Sequence, residues 1–154
     1  MPIEKTQLYR EISQQAVALV EDESDLIANL ANISALLWMH LHDINWSGFY
    51  LLKGNELVLG PFQGKPACVR IPLGKGVCGT AAAEEKPQLV MDVHQFDGHI
   101  ACDAASNSEV VIPFYLKGKL AGVLDIDSPS LARFDEQDLQ GLQSLMHQLE
   151  EHLE

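Results

Sequence analysis

The chain has 154 residues, of which 47% are hydrophobic, and 22 acidic against 10 basic residues give a formal net charge of −12. This length and apolar content predict one globular domain with a buried core. The negative charge repels phosphate groups and anionic lipid headgroups, so it argues against nucleic acid and membrane surfaces as partners. The longest apolar run, around residues 33–41, is interrupted by polar side chains and is too short to span a membrane.

The first ten residues carry charges and no apolar stretch, so they predict neither a secretion signal nor an import signal, and we expect a cytoplasmic protein. The three cysteines are Cys68, Cys78 and Cys102. An odd number without a secretion signal argues against a structural disulfide framework. Reactive thiols, a metal site and plain core packing remain open.

Two amphipathic helices are predicted first, because apolar residues recur every three or four positions over residues 8–19 and again over 26–37. Residues 46–52 and 57–62 are rich in aromatic and branched side chains on either side of a Lys-Gly-Asn turn, which predicts a β-hairpin. Three short elements follow. They are a strand over residues 68–71, an Ala-rich helix over 77–85 and a strand over 88–91.

Residues 92–108 lack a sustained period and predict a long polar loop, a kind of segment that is often functional. A second hairpin follows, with strands over 109–116 and 120–126, and Asp135 is expected to cap a last helix. This order predicts an α+β fold, a mostly antiparallel sheet of about six strands with the N- and C-terminal helices packed on one face. The narrow apolar stripes of those helices also suit a homodimer seam.

Three acidic residues are predicted to converge at one end of the sheet. Asp125 and Asp127 alternate with apolar residues on a strong strand, so both point to the same face. Glu109 begins the strand that pairs with theirs across the hairpin. A carboxyl group in a partly dry site with like-charged neighbours has a raised pKa and can supply a proton. A solvent-facing strand end is the plainer alternative and stays open.

Trp46 and Tyr50 lie at even spacing on the first predicted strand and should face the same side. There they would form an aromatic wall beside a substrate, with core packing as an equal alternative. Cys102 lies in the polar loop, the most exposed setting of the three cysteines, which favours a reactive thiol. For Cys78, beside an Ala-rich helix, core packing is about as plausible as a redox role.

Four short glycine- or serine-containing segments form a further pattern. They are residues 60–64 (GPFQG), 74–79 (GKGVCG), 98–103 (GHIACD) and 106–109 (SNSE). In this order they resemble the signatures of the free methionine-(R)-sulfoxide reductases, a branch of the GAF-domain proteins, and the resemblance covers residues 46–127 with the flanking helices fitting as well. One departure is Asp97, where the family pattern has proline, and it should alter the stiffness of the loop rather than the chemistry.

The resemblance implies a single GAF domain over residues 1–154 that reduces free L-methionine (R)-sulfoxide to L-methionine without a cofactor or a metal. It assigns the attacking thiol, which becomes a sulfenic acid, to Cys102 and the resolving thiol that closes a disulfide to Cys68, with Cys78 as a relay. Thioredoxin would reopen the disulfide. The same resemblance gives the three acids the task of binding and polarising the sulfoxide, and tilts Trp46 toward the substrate.

Two alternatives to a reductase come from other classes. A GAF-type sensing module would bind a small molecule without chemistry, although it has no use for three thiols around a polar loop. A metal site could form from His94, His99 and Cys102, with Cys68 or Cys78. The close cysteine pairs of a structural zinc site are missing, since the last two are ten positions apart.

Overall fold

The computed structural model describes residues 3–98 and 105–153 of the chain. Within these ranges the helices are α1 (Lys5–Val20), α2 (Leu26–His40), α3 (Gly76–Glu84) and α4 (Glu136–Glu150). The strands are β1 (Trp46–Lys53), β2 (Glu56–Gly64), β3 (Arg70–Pro72), β4 (Gln88–Val90), β5 (Ser108–Leu116) and β6 (Lys119–Ser128). None of the described helices has the length and apolarity needed to cross a membrane.

The strands form one 6-stranded sheet in the order β3-β2-β1-β6-β5-β4, and every neighbouring pair is antiparallel. The two predicted hairpins, β1–β2 and β5–β6, are confirmed, and they meet at the centre of the sheet because β1 also pairs with β6. Gly54 and Gly118 have φ angles of 67° and 78° in the two turns, a conformation that glycine adopts at little cost.

On one face of the sheet α2 and α4 contact the strands, and α1 packs against both of these helices in the same core, so the predicted packing of the terminal helices on one face is confirmed. Ile12 and Ala16 of α1 and Leu142 and Met146 of α4 are buried in this core. The apolar stripes that suggested a dimer seam therefore already have partners within the chain.

The opposite face of the sheet carries α3 and a second apolar core. Residues alternate along β6, so Leu124 and Ile126 enter the core beneath the three long helices. Asp125 and Asp127 project to the other side, where Asp125 meets Cys78 of α3. The alternation thus separates a structural face from a face that carries polar chemistry.

The predicted strand over residues 68–71 is wrong at its start, because β3 begins at Arg70 and Cys68 lies in the irregular segment before it. Pro66 has no N–H to donate to a strand ladder. The carbonyl of Cys68 accepts a hydrogen bond from the Tyr50 hydroxyl at 2.9 Å. The segment is therefore held by the Tyr50 hydroxyl together with one backbone hydrogen bond, from the Leu59 N–H of β2 to the carbonyl of Val69 at 2.9 Å.

The predicted loop over residues 92–108 contains more regular structure than expected. Val93–Gln95 form a short 3-10 helix, which begins with the Asp92 carboxylate accepting from the His94 N–H at 3.0 Å. At the other end, Ser108 already belongs to β5. The residues between, 99–104, lie outside the described part of the chain.

A buried carboxylate connects α1 to α4. Asp138 is 1% exposed and accepts hydrogen bonds from Lys5 Nζ and from the Tyr9 hydroxyl, both at 2.7 Å. It also forms a capping box with Asp135, which confirms Asp135 as the cap of the last helix. Arg133 Nη1 lies 3.7 Å from the same carboxylate. The starts of the two helices are therefore held by one charged network.

Candidate active site

Three acidic side chains meet on the α3 side of the sheet, as predicted, and we call Glu109, Asp125 and Asp127 the acidic cluster. Glu109 of β5 stands opposite Asp127 of β6, and Asp125 lies two residues earlier on the same face. Glu109 and Asp125 are 8% and 5% exposed, whereas Asp127 is partly exposed. The alternative of a solvent-facing strand end is therefore wrong for the two buried acids.

Cys78 brings a thiol into contact with the acidic cluster. It lies in the first turn of α3, and its Sγ is 3.8 Å from Glu109 Oε2. The side chain is 4% exposed and also packs in the second core. The sequence left packing and chemistry as alternatives for this residue, and its position serves both.

Protonation of the cluster is shifted by its burial. Burial raises the pKa of Glu109 well above its usual range, and the charges of Asp125 and Asp127 raise it further. The pKa of Asp125 is also raised by burial, although its contacts with Glu109, Asp127 and Cys78 act in the opposite direction. Burial likewise raises the pKa of the Cys78 thiol, and the neighbouring carboxylates add to it. The raised pKa values of Glu109 and Asp125 favour the protonated form in the cluster more than in an exposed carboxyl group.

Asp125 has an oxygen that is ready to receive a ligand. Its Oδ1 is buried and accepts no hydrogen bond from the described residues. A buried polar atom without a partner is rare in folded proteins and costs free energy. A proton shared with a neighbouring carboxyl, or a polar group on a ligand, would satisfy this oxygen.

Trp46 and Tyr50 face the same side of β1, as predicted, and adjoin the acidic cluster. Their ring centroids are 5.8 Å apart, and Trp46 also stacks on Phe62 at 5.1 Å. Trp46 pairs with Asp127 in the β1–β6 register. Burial raises the pKa of the Tyr50 hydroxyl, and the charge of Asp125 adds to this effect. These rings form an aromatic wall, defined here as Trp46, Tyr50 and Phe62.

The aromatic wall also holds the segment that carries Cys68. Trp46 Nε1 donates to the carbonyl of Lys65 at 3.1 Å, and the Tyr50 hydroxyl donates to the carbonyl of Cys68 at 2.9 Å. Cys68 is disulfide-bonded, whereas Cys78 is a free thiol. Trp46 and Tyr50 are each 2% exposed and pack in the second core, where they also hold the backbone around Cys68. A contact of either ring with a substrate stays a prediction.

Cys102, the predicted reacting thiol, lies outside the described residues. The chain on either side of residues 99–104 is anchored beside the acidic cluster. The carbonyl of Gly98 accepts from the N–H of Gly76, at the start of α3, at 3.1 Å. The N–H of Asn107 donates to the carbonyl of Ser128, at the end of β6, at 2.8 Å.

Of the three residues at the centre of the metal site considered above, His94, His99 and Cys102, the structure describes His94 alone. His94 Nε2 lies 3.1 Å from Asn107 Oδ1, and His99 and Cys102 lie outside the described residues. Three other buried side chains place one sulfur and two carboxylate oxygens within 4.8 Å of one another. They are Cys78, Glu109 and Asp125.

Comparison with known proteins identifies the family. The profile of the GAF domain family matches residues 17–154. The free methionine-R-sulfoxide reductase of Escherichia coli (strain K12) is 58% identical over 149 residues, which cover 97% of this chain and 90% of that protein. The chain belongs to the free methionine-R-sulfoxide reductase family.

Two solved structures of this family resemble the chain closely. The fRMsr of Staphylococcus aureus, in complex with substrate, has a TM-score of 0.89 at 56% identity and covers 94% of each chain. The free methionine-R-sulfoxide reductase of Neisseria meningitidis, in complex with its substrate, has a TM-score of 0.93 at 46% identity. That match covers 99% of this chain and 92% of the other.

Membership of the free methionine-R-sulfoxide reductase family confirms two predictions made from the sequence. The fold is the expected α+β GAF-like arrangement, with the antiparallel sheet and the terminal helices on one face. The family is one of oxidoreductases, so an enzyme is confirmed over the non-catalytic sensing module. The roles of the individual site residues stay predictions.

We expect Glu109→Gln to stabilise the protein at neutral pH. The folded-state pKa of this carboxyl is raised, so its stabilising contribution is complete below its ordinary pKa of 4.5 and is lost as the pH rises through the folded value. Each pH unit between the two values costs about 1.4 kcal/mol. Glutamine cannot ionise and avoids this loss. Thermal unfolding across about pH 4 to pH 8 should show a gap in midpoint temperature that grows with pH.

The control for this prediction is Glu84→Gln, which alters an exposed carboxylate on α3. This variant should follow the wild-type midpoint at every pH. A Glu109→Gln protein that is equally or less stable than wild type at neutral pH would contradict the prediction. It would show that the ionised form of Glu109 does not lower the free energy of unfolding.

Proposed function

We propose that this chain reduces free methionine-(R)-sulfoxide to methionine by thiol chemistry. The observation that carries the proposal is the acidic cluster, where a buried Glu109 with a raised pKa lies beside an Asp125 oxygen that accepts no hydrogen bond from residues 3–98 or 105–153. The relatives support the substrate, since the Escherichia coli protein bears the name of this activity and the Neisseria meningitidis protein is solved with its substrate.

In the first step the Cys102 thiolate attacks the sulfoxide sulfur. The sulfur–oxygen bond of the substrate breaks, the substrate sulfur gains two electrons, and the oxygen ends on Cys102 as a sulfenic acid. Protonated Glu109 donates its proton toward the sulfoxide oxygen, which makes the sulfur more electrophilic. Asp125 and Asp127 share that proton and raise the acid's pKa, while the Trp46 ring lies against the methyl group and favours positive charge on sulfur.

In the second step the Cys68 thiol attacks the sulfenic sulfur of Cys102, a disulfide forms, and water leaves with the oxygen. Support for this role comes from Cys68, which is disulfide-bonded and is held by the Tyr50 hydroxyl. The carbonyl of Gly98, four positions before Cys102, accepts a hydrogen bond from the N–H of Gly76 at the start of α3. Cys78 touches the cluster and can act as a relay thiol.

An external dithiol must return the enzyme to its reduced form, and we propose thioredoxin acting in the cytoplasm. The net charge of −12 supports neither a nucleic acid nor a membrane partner. A homodimer stays a prediction. Because the stripes of α1 and α4 are buried in the chain, a dimer would have to bury other apolar residues, such as the exposed Ile27, Trp38 and Met39 of α2.

Turnover of matched substrates tests the proposed function. Purified protein with dithiothreitol should convert the free R epimer to methionine and leave the free S epimer and a peptide-bound sulfoxide unchanged. Chromatography of the free amino acids measures the product directly. Preference for the S epimer, or equal rates on the peptide, would overturn the assignment.

We expect Tyr50→Phe to slow the second step and to spare the first. The substitution keeps the ring in the aromatic wall and removes the hydrogen bond to the carbonyl of Cys68. Loss of one such bond should lower the rate of disulfide formation roughly 2- to 10-fold. Rapid mixing with one equivalent of substrate separates release of methionine from formation of the disulfide.

In the Tyr50→Phe protein, methionine should appear at the wild-type rate while sulfenic acid accumulates and can be trapped by dimedone. Tyr115→Phe, which removes a hydroxyl at the far end of β5, is the matched control and should leave both rates unchanged. If Tyr50→Phe slows methionine release and leaves disulfide formation unchanged, the hydroxyl acts on the substrate and not on Cys68.

A further inference from the structure

We propose that Cys78, Glu109 and Asp125 form a binding site for a thiophilic divalent cation of the Zn²⁺ type, and that this cation and the sulfoxide substrate exclude each other. The inference rests on the proposed function, because the same acids are those proposed to polarise the sulfoxide. It concerns regulation of that site and adds no cofactor to the reaction.

The distances among the three side chains suit such a cation. Zn²⁺ binds thiolate sulfur at about 2.3 Å and carboxylate oxygen at about 2.1 Å, so a tetrahedral site separates the two atoms by about 3.6 Å. Cys78 Sγ and Glu109 Oε2 are 3.8 Å apart. All three ligand atoms lie within 4.8 Å of one another. Small side-chain rotations would therefore shorten the remaining distances between ligand atoms to those of a tetrahedral site.

A second observation points to a ligand at the same place. Asp125 is 5% exposed, and its Oδ1 accepts no hydrogen bond from the described residues. A cation would satisfy this oxygen and would also offset the repulsion between two carboxylates packed beside a sulfur. Water is largely excluded from the trio, which strengthens the attraction between the cation and its ligands.

The donor set selects the class of cation. Mg²⁺ and Ca²⁺ prefer shells made of oxygen alone, and they need six or more ligands. A thiolate with two carboxylates is a borderline-soft set that suits Zn²⁺ and its heavier analogue Cd²⁺. When the metal binds, Cys78 loses its thiol proton and the two carboxyls lose the proton that they share. Both protons are released to solvent.

Exclusion of the substrate follows from the shared atoms. Glu109 must carry a proton to polarise the sulfoxide, but as a metal ligand it gives that proton up. The buried oxygen of Asp125 cannot contact a substrate group and bind a cation at the same time. Free methionine sulfoxide should therefore raise the apparent dissociation constant of the metal, and the metal should raise the apparent KM of the substrate.

The test uses the full chain with Cys68→Ser and Cys102→Ser, which leaves Cys78 as the one thiol. Zn²⁺ is titrated in competition with a chromophoric chelator, and Cd²⁺ is titrated in parallel to record sulfur-to-metal charge-transfer absorption. The expected result is one bound ion per chain and a Cd²⁺ band. Adding Cys78→Ser or Asp125→Asn should weaken binding by about 100-fold or more, since even groups outside the ligand shell are worth 10- to 100-fold.

The matched control is Glu84→Gln in the same background, which removes an exposed acid from the helix that carries Cys78. It should leave the metal affinity unchanged. Binding that survives both Cys78→Ser and Asp125→Asn would place the ion elsewhere and overturn the proposal. In a chain whose wild-type form reduces free methionine sulfoxide, metal binding that is insensitive to saturating sulfoxide would also overturn it.

Failure of this inference is distinguishable from failure of the proposed function. The titration follows the metal directly and requires no turnover, whereas the reductase assay uses metal-free protein. A chain that reduces the sulfoxide and binds no Zn²⁺ keeps its function and loses the site. A chain that binds Zn²⁺ at the trio and reduces no sulfoxide keeps the site and loses the function.

Discussion

Replacing Cys102 with serine is expected to lower turnover of free methionine-(R)-sulfoxide to below about one-thousandth of the wild-type rate. Serine preserves the size of the side chain, but its hydroxyl does not ionise near neutral pH and cannot replace the thiolate. The acidic cluster is unchanged, so the variant should still bind substrate. Product chromatography measures turnover, and calorimetry measures binding.

The companion variant is Cys68→Ser. Its activity with dithiothreitol and its activity with thioredoxin should differ, and this difference distinguishes the role of Cys68 from that of Cys102. The variant should release the first equivalent of methionine at the wild-type rate and remain active with dithiothreitol, because a small dithiol reduces the sulfenic acid directly. Activity supported by thioredoxin should fall sharply, since the disulfide between Cys68 and Cys102 cannot form, and activity that remains would measure the part played by Cys78. Equal turnover by Cys102→Ser and wild type would show that Cys102 is not the attacking thiol and would overturn the proposed mechanism.

Replacing Asp138 with alanine is expected to lower the free energy of unfolding by about 2–4 kcal/mol, because it leaves the buried Tyr9 hydroxyl without its acceptor and breaks the capping box of α4. The carboxylate is 1% exposed and serves Lys5, the Tyr9 hydroxyl and the capping box at once. Equilibrium unfolding in urea, followed by circular dichroism, measures the loss.

Asp135→Ala is the control for this prediction, since it removes a neighbouring acid from the same network. The side chain of Asp135 is 52% exposed, and its main contribution is the helix cap. Loss of a cap costs about 1 kcal/mol. If the two variants lose equal stability, the capping of α4 and not the buried charge explains the effect.

The sequence could predict that Asp125 and Asp127 share a face, because strict alternation along β6 sets them apart from their apolar neighbours. The two-residue turn brings Glu109 to the same end of the sheet. Counted from that turn without interruption, Glu109 would stand opposite Ile126, on the other face of the sheet. The register shift between Phe114 and Tyr115 moves its partner to Asp127, and this bulge was not predicted from the sequence.

The positions of Cys68 and Cys78 could not be predicted in the same way. Cys68 was placed on a strand because its neighbours alternate, but its backbone is held by the Tyr50 hydroxyl, a side chain 18 positions away. Cys78 reaches Glu109 only because α3 packs against β5, which is a tertiary contact. Helical periodicity around Cys78 contains no information on what lies beneath that helix.

The two-residue turn that joins β5 to β6 sets a constraint on how this protein can vary. Lys117 and Gly118 both have positive φ, at 53° and 78°, and together with the register shift between Phe114 and Tyr115 they pair Glu109 with Asp127. Since side chains alternate with a period of two, inserting or deleting one residue in the turn would slide β5 by a single step unless a further bulge absorbed it. Glu109 would then turn into the hydrocarbon layer under the long helices, while Asp125 and Asp127 are kept in place by the pairing of β6 with β1. Loop-length variation among functional relatives should therefore avoid this turn.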